Sequence, residues 1–496
     1  MRVAVIGGGP SGLVTLKYLI HASVSISCEP VEAILFEYQT QVGGTFAARS
    51  YEDAELVSSK QLTTFSDFRH SEHGDFLRTE HFKSRKQFGT DKTVMVVGSG
   101  ETGADIAYLA ATSPTKRVLL CHSDGVHFAP KRNPGPVLFP ILGRKSDPKE
   151  PGIPIDVSRA NMFDTTYVHP LLRNSMALWH YYHWYIKSIL WLSSGTTAGM
   201  DQWIGRISPE RHHPSKSNIS PRPYFHRSVD HSPSRRLWLY ALRSAIVQIP
   251  IADTNGRQVD LTPWPKEIGR DGTVHFFNNQ QPEFGRLKGE RVKPDIVILR
   301  TGYKQDFPFL EPSRTSTTRP YAMASQANVR GIWRREEPTV GFIGFVRPSL
   351  GAIPPLAEMQ AQLWILNILA PEKIRHPLRA ADEEHYRLKL PPDSRIGYGV
   401  DHESYVYKLA LDMNSAIGFW DVLAIAHKKG IRDRWRLLVV WAFGAHFNTN
   451  FRLLGPWKWS GAADMLISEE FWQTITRRPL LFGKSACVVE SESNSR

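Results

Sequence analysis

The chain has three cysteines in 496 residues, Cys28, Cys121 and Cys487, and no two of them stand close together. That scatter excludes a disulfide framework and a cysteine-based zinc site. No C-x-x-C is present, which removes a redox-active dithiol. Long apolar runs are missing too. Residues 176–193 are broken by His180, His183 and Lys187, and residues 437–445 are too few to span a bilayer. The first residues run directly into a strand-like segment, leaving no room for a signal peptide. These absences predict a reduced, cytoplasmic protein without a transmembrane span, and leave peripheral contact with a membrane open. Nineteen histidines lie without metal-ligand spacing, so no metal site is predicted. No acid–base pair stands out either, and no catalytic side chain is assigned.

What is present is an ordinary globular composition, 41% hydrophobic and 22% charged, with length for two or three domains. The net charge is +13. No nucleic-acid-binding module accompanies it, so the excess is read as a basic surface suited to phosphate-bearing ligands.

The first twelve residues carry the strongest local signal. Val3 to Ile6 form a short apolar run, as a parallel strand buried on both faces would. Gly7, Gly9 and Gly12 follow at G-x-G-x-x-G spacing. The first glycine allows a tight turn, the second lets backbone approach a pyrophosphate, and the third lets the next helix pack against the strand. That helix, from Ser11 to about His21, points its N-terminal N–H groups at the phosphates. A second strand, Ala33-Ile-Leu-Phe-Glu37, ends in an acid 25 residues beyond Gly12, where a carboxylate accepts a ribose 2′-OH. An unphosphorylated ribose fits that acid, so the ligand is FAD or NAD. Gly43, Gly44, Thr45 and Phe46 supply a further turn suited to the same cofactor.

The pattern then repeats. Thr93 to Val97 is a strand, Gly98, Ser99, Gly100, Thr102 and Gly103 form a second G-x-G-x-x-G turn, and a helix runs on through Ala107. The next strand, Arg117 to Cys121, ends in His122-Ser123-Asp124, with Lys131 and Arg132 close behind. Cations near a second strand suit a 2′-phosphate, which points to NADPH at this turn. Two fingerprints in one chain predict two dinucleotides and an electron route from nicotinamide to flavin.

A third marker, Pro294-Asp-Ile-Val-Ile-Leu-Arg-Thr-Gly-Tyr303, completes a set that resembles the flavin-containing monooxygenase family. That family shows an N-terminal G-x-G-P-S-G, a G-G-T-[WF], a second G-x-G-x-[ST]-G-x-D-I-A, a T-G-Y and a late E-x-Q-A. All are here, the last as Glu358-Met359-Gln360-Ala361, and Phe82-Lys83 matches the family's [FY]-K. The likeness runs from Met1 to about Arg478. It implies that NADPH reduces the flavin, that O2 adds to give a C4a-(hydro)peroxyflavin, and that a soft nucleophile takes one oxygen. The substrate would be a small molecule with an amine nitrogen or a sulfide, as in N,N-dimethylaniline-type monooxygenases. The bets for FAD are Gly7, Gly9, Ser11, Gly12, Glu37, Gly44 and Thr45.

The chain departs from that family in three places. Only 86 residues separate Gly12 from Gly98, too few for the elements of a complete flavin-binding half. Phe65-Ser-Asp-Phe68 looks like the family's F-S-D-F, and a segment omitted near Phe76–Leu77, in the gene or in its reading, is the simplest explanation. The family's T-N-x-S-K becomes Leu56-Val57-Ser58-Ser59-Lys60, so Val57 replaces an asparagine beside the flavin and offers no hydrogen bond. Residues 205–236 hold five prolines, seven Lys or Arg and two acids, which reads as a disordered basic linker.

The expected fold class is α/β, with two Rossmann-like dinucleotide-binding units. Residues 1–90 form a truncated FAD unit, and 91–132 with 237–345 the NADPH unit. Residues 133–236 form a helical insert with the basic linker, its aromatic-rich stretch at 177–191 a buried or interface helix. Residues 346–496 form a C-terminal helical region returning to the FAD unit. Two other readings stand beside the enzyme: a non-catalytic dinucleotide-binding remnant, and an interaction protein that binds polyanions through its basic arm. The oligomeric state is not legible.

Overall fold

Along the first strand, Val3 and Val5 point one way and Ala4 and Ile6 the other, and only the first pair meets a core. In the computed structural model, the residues described are 1–48, 50–51, 63–68, 84–123, 126–130, 132–133, 137–138, 153–154, 203–204, 216–219, 247–248, 257, 259–280, 282–302, 307, 309–310, 324–348, 351–381, 386–387, 399–443 and 447–476. Strand β1 (Arg2–Ile6) pairs in parallel with β2 (Glu32–Phe36), with Ile6 opposite Phe36. Helix α1 (Pro10–Ile26) connects them; Pro10 starts it with a pre-set φ, and Ser27 ends it in the left-handed region at φ 55°. Its Val14, Tyr18, Leu19, Ala22 and Ile26 make one buried stripe.

The expectation that β1 is buried on both faces is overturned. Ile6 and Phe36 are each 52% exposed and Ile34 is 39% exposed, whereas Val5 is 6% exposed. Parallel sheets are stable when both faces are covered. Here α1 covers one, and among the described residues nothing covers the other. A sequence run cannot reveal this, because the cover must come from elsewhere in the chain. We expect Phe36→Ser to change stability by less than about 0.5 kcal/mol, whereas Leu19→Ala, inside the stripe, should cost about 2–5 kcal/mol. Urea unfolding of the two variants checks this; a costly Phe36→Ser would mean that the face is covered.

In the second sheet the two inner strands are covered on both faces. Strands β3 (Thr93–Val97), β4 (Arg117–His122), β5 (Val259–Pro263) and β6 (Ile296–Leu299) lie parallel in the order β5-β4-β3-β6. Val94, Val96, Val118 and Leu120 pack beneath helix α2 (Glu101–Ala111). Met95, Val97, Leu119 and Cys121 pack on the opposite face with Val274, Leu287 and Val292.

In the C-terminal third, helix α3 (Ile353–Leu369) is buried from Pro354 through Leu366, apolar nearly all round, and packs on α1. Helix α4 (His402–Asp412) joins the same core. Helices α5 (Phe419–His427) and α6 (Ile431–Phe443) form a smaller core with Phe447, Leu453 and Phe471.

Within 133–236 the described residues are short extended segments, and the aromatic stretch 177–191 lies outside them. Within the basic linker, Lys216–Ile219 forms a strand and pairs in parallel with Val126–Pro130. Those four residues lie between Pro214 and Pro221, so every N–H in them is free to join a ladder. Among the described residues no helix is long and apolar enough to cross a membrane, and no cluster of side chains could hold a metal ion.

Candidate functional site

Two glycine turns stand at the C-terminal ends of parallel strands, where α/β sheets bind ligands. In the first, Gly7 leaves β1 at φ +99°, a conformation that side chains rarely adopt. Its N–H donates to the Phe36 carbonyl at 2.7 Å, so the turn is fastened to β2. A Cβ on Gly12 would overlap the Gly7 carbonyl oxygen, which is why the helix lies so close to the strand. Gly9 precedes α1 with extended backbone, no side chain caps the helix, and no acid lies in its first turn. Its uncapped N–H groups and positive dipole end make an anion site.

The Gly43-Gly44 turn closes on the same loop. Gly43 N–H donates to the Gly8 carbonyl at 2.7 Å, and a Cβ on Gly44 would come 2.7 Å from Gly9 Cα. Thr45, exposed, begins the short helix Thr45–Ala48. The Glu37 carboxylate accepts the Gly8 N–H at 2.5 Å and the Gln39 N–H at 2.8 Å. The bonds from Gln39 and Gly8 hold it below the usual carboxylate range, so it is ionised at neutral pH beside the loop. Ser11 lies under Gly344, where a Cβ would overlap its Oγ. Thus Gly7, Gly9, Ser11, Gly12, Glu37, Gly44 and Thr45 surround one loop. Glycines where a Cβ would clash, an uncapped helix end and an ionised carboxylate together fit the ADP half of FAD.

The second turn repeats the geometry. Gly98 has φ +113° and its N–H donates to the Cys121 carbonyl at 3.1 Å. A Cβ on Gly103 would overlap the Gly98 carbonyl oxygen. Gly100 precedes α2 in extended conformation with nothing within 4 Å of its Cβ position; Ser99 is half-buried and Thr102 exposed beside it. Of the strand end that follows, His122 and Ser123 are described. His122 is fully buried, with its Nε2 2.9 Å from Glu283 Oε1, so it faces the protein interior. Asp124 and Lys131 lie outside the described residues, as do Val57, Phe82, Lys83 and Tyr303.

Other contacts tie the two turns into their surroundings. Tyr51 donates to Asp105 of α2 at 2.6 Å, and burial, followed by the Asp105 charge, pushes that hydroxyl well above its ordinary pKa. Gln360 of α3 accepts the Gly344 N–H at 2.7 Å and donates to Tyr405 at 2.8 Å, which fixes the turn lying over Ser11. Gln360 belongs to the E-x-Q-A string, whose spacing alone gives it no role.

Glu358, two positions before Gln360 and so on the opposite face of α3, is the centre of a buried network. Its Oε1 accepts the Tyr18 and Ser66 hydroxyls, each at 2.7 Å; its Oε2 accepts Ser66 N–H at 2.9 Å and Asn448 Nδ2 at 3.2 Å. Arg452 donates to the same Tyr18 and Ser66 oxygens and stands 3.8 Å from Glu358. Burial pushes the Tyr18 hydroxyl well up in pKa, with the Glu358 charge adding to it, so Tyr18 stays a donor. Trp457 stacks edge-on to Tyr18 at 5.0 Å. The F-S-D-F, E-x-Q-A and late tryptophan strings therefore meet on the back of α1.

The Flavin-binding monooxygenase-like family model matches residues 287–480. The chain is 41% identical to "Monooxygenase cfoE" of Aspergillus candidus, over 96% of this chain and 94% of that protein. It is 39% identical to "Monooxygenase PC-14" of Penicillium crustosum, over 96% and 94%. It is 25% identical to "Flavin-containing monooxygenase 1" of Mus musculus, over 85% of this chain and 64% of that protein. The Aspergillus alignment runs over 567 positions yet takes in 96% of 496 residues, about 476, so about 91 positions face a gap in this chain.

Proposed function

The chain belongs to the flavin-containing monooxygenase family, and from that we propose an FAD- and NADPH-dependent enzyme that puts one oxygen of O2 into an amine nitrogen or sulfide of a small molecule. FAD and NADPH are the cofactors that the family implies. The observation that carries the proposal is the pair of glycine turns, each ending a parallel strand and opening an uncapped helix. When bound, the flavin takes electrons from the nicotinamide and activates O2. The chain's own part is binding and placement. Backbone N–H groups at the start of α1 hold the FAD pyrophosphate, Gly44 lets backbone come close to it, and Glu37 accepts a ribose hydroxyl. Gly98, Ser99, Gly100, Thr102 and Gly103 hold the NADPH pyrophosphate at the start of α2. The two supports correspond to two Rossmann-like units, residues 1–90 and residues 91–132 with 237–345, with 346–496 returning to the first.

The test is purification of the full chain followed by absorbance, NADPH oxidation and O2 uptake in the presence of a tertiary amine or a sulfide. We expect a yellow protein, matched consumption of NADPH and O2, and one labelled oxygen in the product from isotopic O2. A colourless protein that leaves NADPH untouched would sink the reading. One observation favours a second reading, a dinucleotide-binding remnant without turnover: the bare face of the β1–β2 sheet. A remnant would retain a dinucleotide yet consume no NADPH. The basic-arm reading rests on residues 205–236, nearly all of which lie outside the described residues.

A further inference from the structure

Arg300 meets the second glycine turn with both its backbone and its side chain. Its N–H donates to the Val97 carbonyl at 2.8 Å, which extends the pairing of β6 with β3. Its carbonyl oxygen fills the space that a Cβ on Gly98 would need, and its own Cβ lies 3.7 Å from the Cβ position of Gly103. A long cationic side chain therefore starts at the crevice between the first and last strands of the turn, on the side of β3 opposite β4.

The surroundings do not use up that charge. Arg300 Nε is enclosed and has no hydrogen-bond partner among the described residues. Of the acids nearby, Asp105 accepts the Tyr51 hydroxyl. Glu101, in the first turn of α2, interacts with a different cation, Arg347. The guanidinium is close enough to Tyr51 for its charge to oppose the rise in that hydroxyl's pKa. An enclosed guanidinium donor without an acceptor is unfavourable. A dinucleotide pyrophosphate at the start of α2 would bring acceptor oxygens to the same crevice, in the planar pairing that arginine favours.

We propose that Arg300 is a phosphate-binding residue of the second site, donating to the pyrophosphate of the nicotinamide dinucleotide. This rests on the reading of the Gly98–Gly103 turn given under Proposed function. The 2′-phosphate lies elsewhere, since the adenosine ribose of such a site sits at the end of the strand after the first helix, here β4.

The experiment is equilibrium titration of NADP⁺ and of adenosine 2′-monophosphate, which has no pyrophosphate, onto the purified full chain. Wild type, Arg300→Gln and Arg300→Lys are compared, with flavin content and Tm recorded for each. We expect Arg300→Gln to weaken NADP⁺ by about tenfold or more, the size of a lost charge-assisted hydrogen bond, and to leave adenosine 2′-monophosphate unchanged. Arg300→Lys, which keeps the charge but loses the fork, should fall between. Unchanged NADP⁺ affinity in Arg300→Gln would overturn the proposal. So would an equal loss for both ligands, which would mark a 2′-phosphate contact or a damaged fold, told apart by Tm. If the wild-type chain binds neither ligand, the reading of the turn itself fails, and the role of Arg300 with it.

Discussion

Gly9→Val should yield a folded protein that purifies without flavin. A Cβ at Gly9 has one near neighbour, Gly44 Cα at 3.7 Å, which is an ordinary contact. The backbone before α1 is extended, with φ −75° and ψ 178°, a region that valine favours. Among the described residues nothing else lies within 4 Å of that Cβ. The cofactor would resist the side chain, because the two methyl groups would stand where the pyrophosphate has to approach backbone. Losing several charge-assisted hydrogen bonds, each about 1.5–3 kcal/mol, should lower FAD affinity by more than about a hundredfold. The contrast is Gly12→Val, whose Cβ would overlap the Gly7 carbonyl oxygen; that variant should fail to fold. The ratio of flavin to protein absorbance, with Tm beside it, reads both. A Gly9→Val protein that purifies yellow would show that the first turn is not the FAD site.

That pair of variants also marks how far sequence reasoning reaches. Both glycine turns are legible, because the spacing of Gly7, Gly9 and Gly12, and of Gly98, Gly100 and Gly103, follows from backbone geometry within about six residues. Glu37 is legible for the same reason, being fixed by one strand and one helix. The bare face of β1 and β2 is not legible in the apolar run itself, since four apolar residues look alike whether one side is covered or both. The short Gly12–Gly98 span does point to it. The partner of His122 is not legible, because Glu283 lies 161 positions along the chain. Arg300 lies within the Pro294–Tyr303 string, but its closeness to Gly98 and Gly103 depends on strand order, which no local pattern encodes.

Arg452→Ala should be among the most destabilising single substitutions in the chain. The guanidinium donates to Tyr18 and Ser66, whose hydroxyls both donate onward to Glu358, and a second donor, Nε, reaches the Trp457 carbonyl at 2.5 Å. Glu358 is fully buried, and its two oxygens accept four hydrogen bonds, so their acceptor capacity is filled. Remove Arg452, and a carboxylate that cannot reach water loses its cation; deleting one partner of such a pair costs about 3–5 kcal/mol. At about 2–4 °C per kcal/mol in a domain of 150–250 residues, Tm should fall by roughly 10 °C. The effect should reach the flavin site, because the network fastens the tail of the chain to the back of α1, whose front turn carries Gly9 and Ser11. Arg452→Ala is therefore expected to lose FAD on dilution, with no side chain near the cofactor changed. Pairing Arg452→Met with Glu358→Leu removes both charges and should recover part of the loss, since an uncharged core avoids the stranded carboxylate. A Tm within a degree of wild type for Arg452→Ala would mean that the network does not hold the helix. Full destabilisation persisting in the double variant would place the cost in packing around Tyr18 and Trp457, or in the donors that Glu358→Leu leaves without an acceptor, and not in the stranded charge.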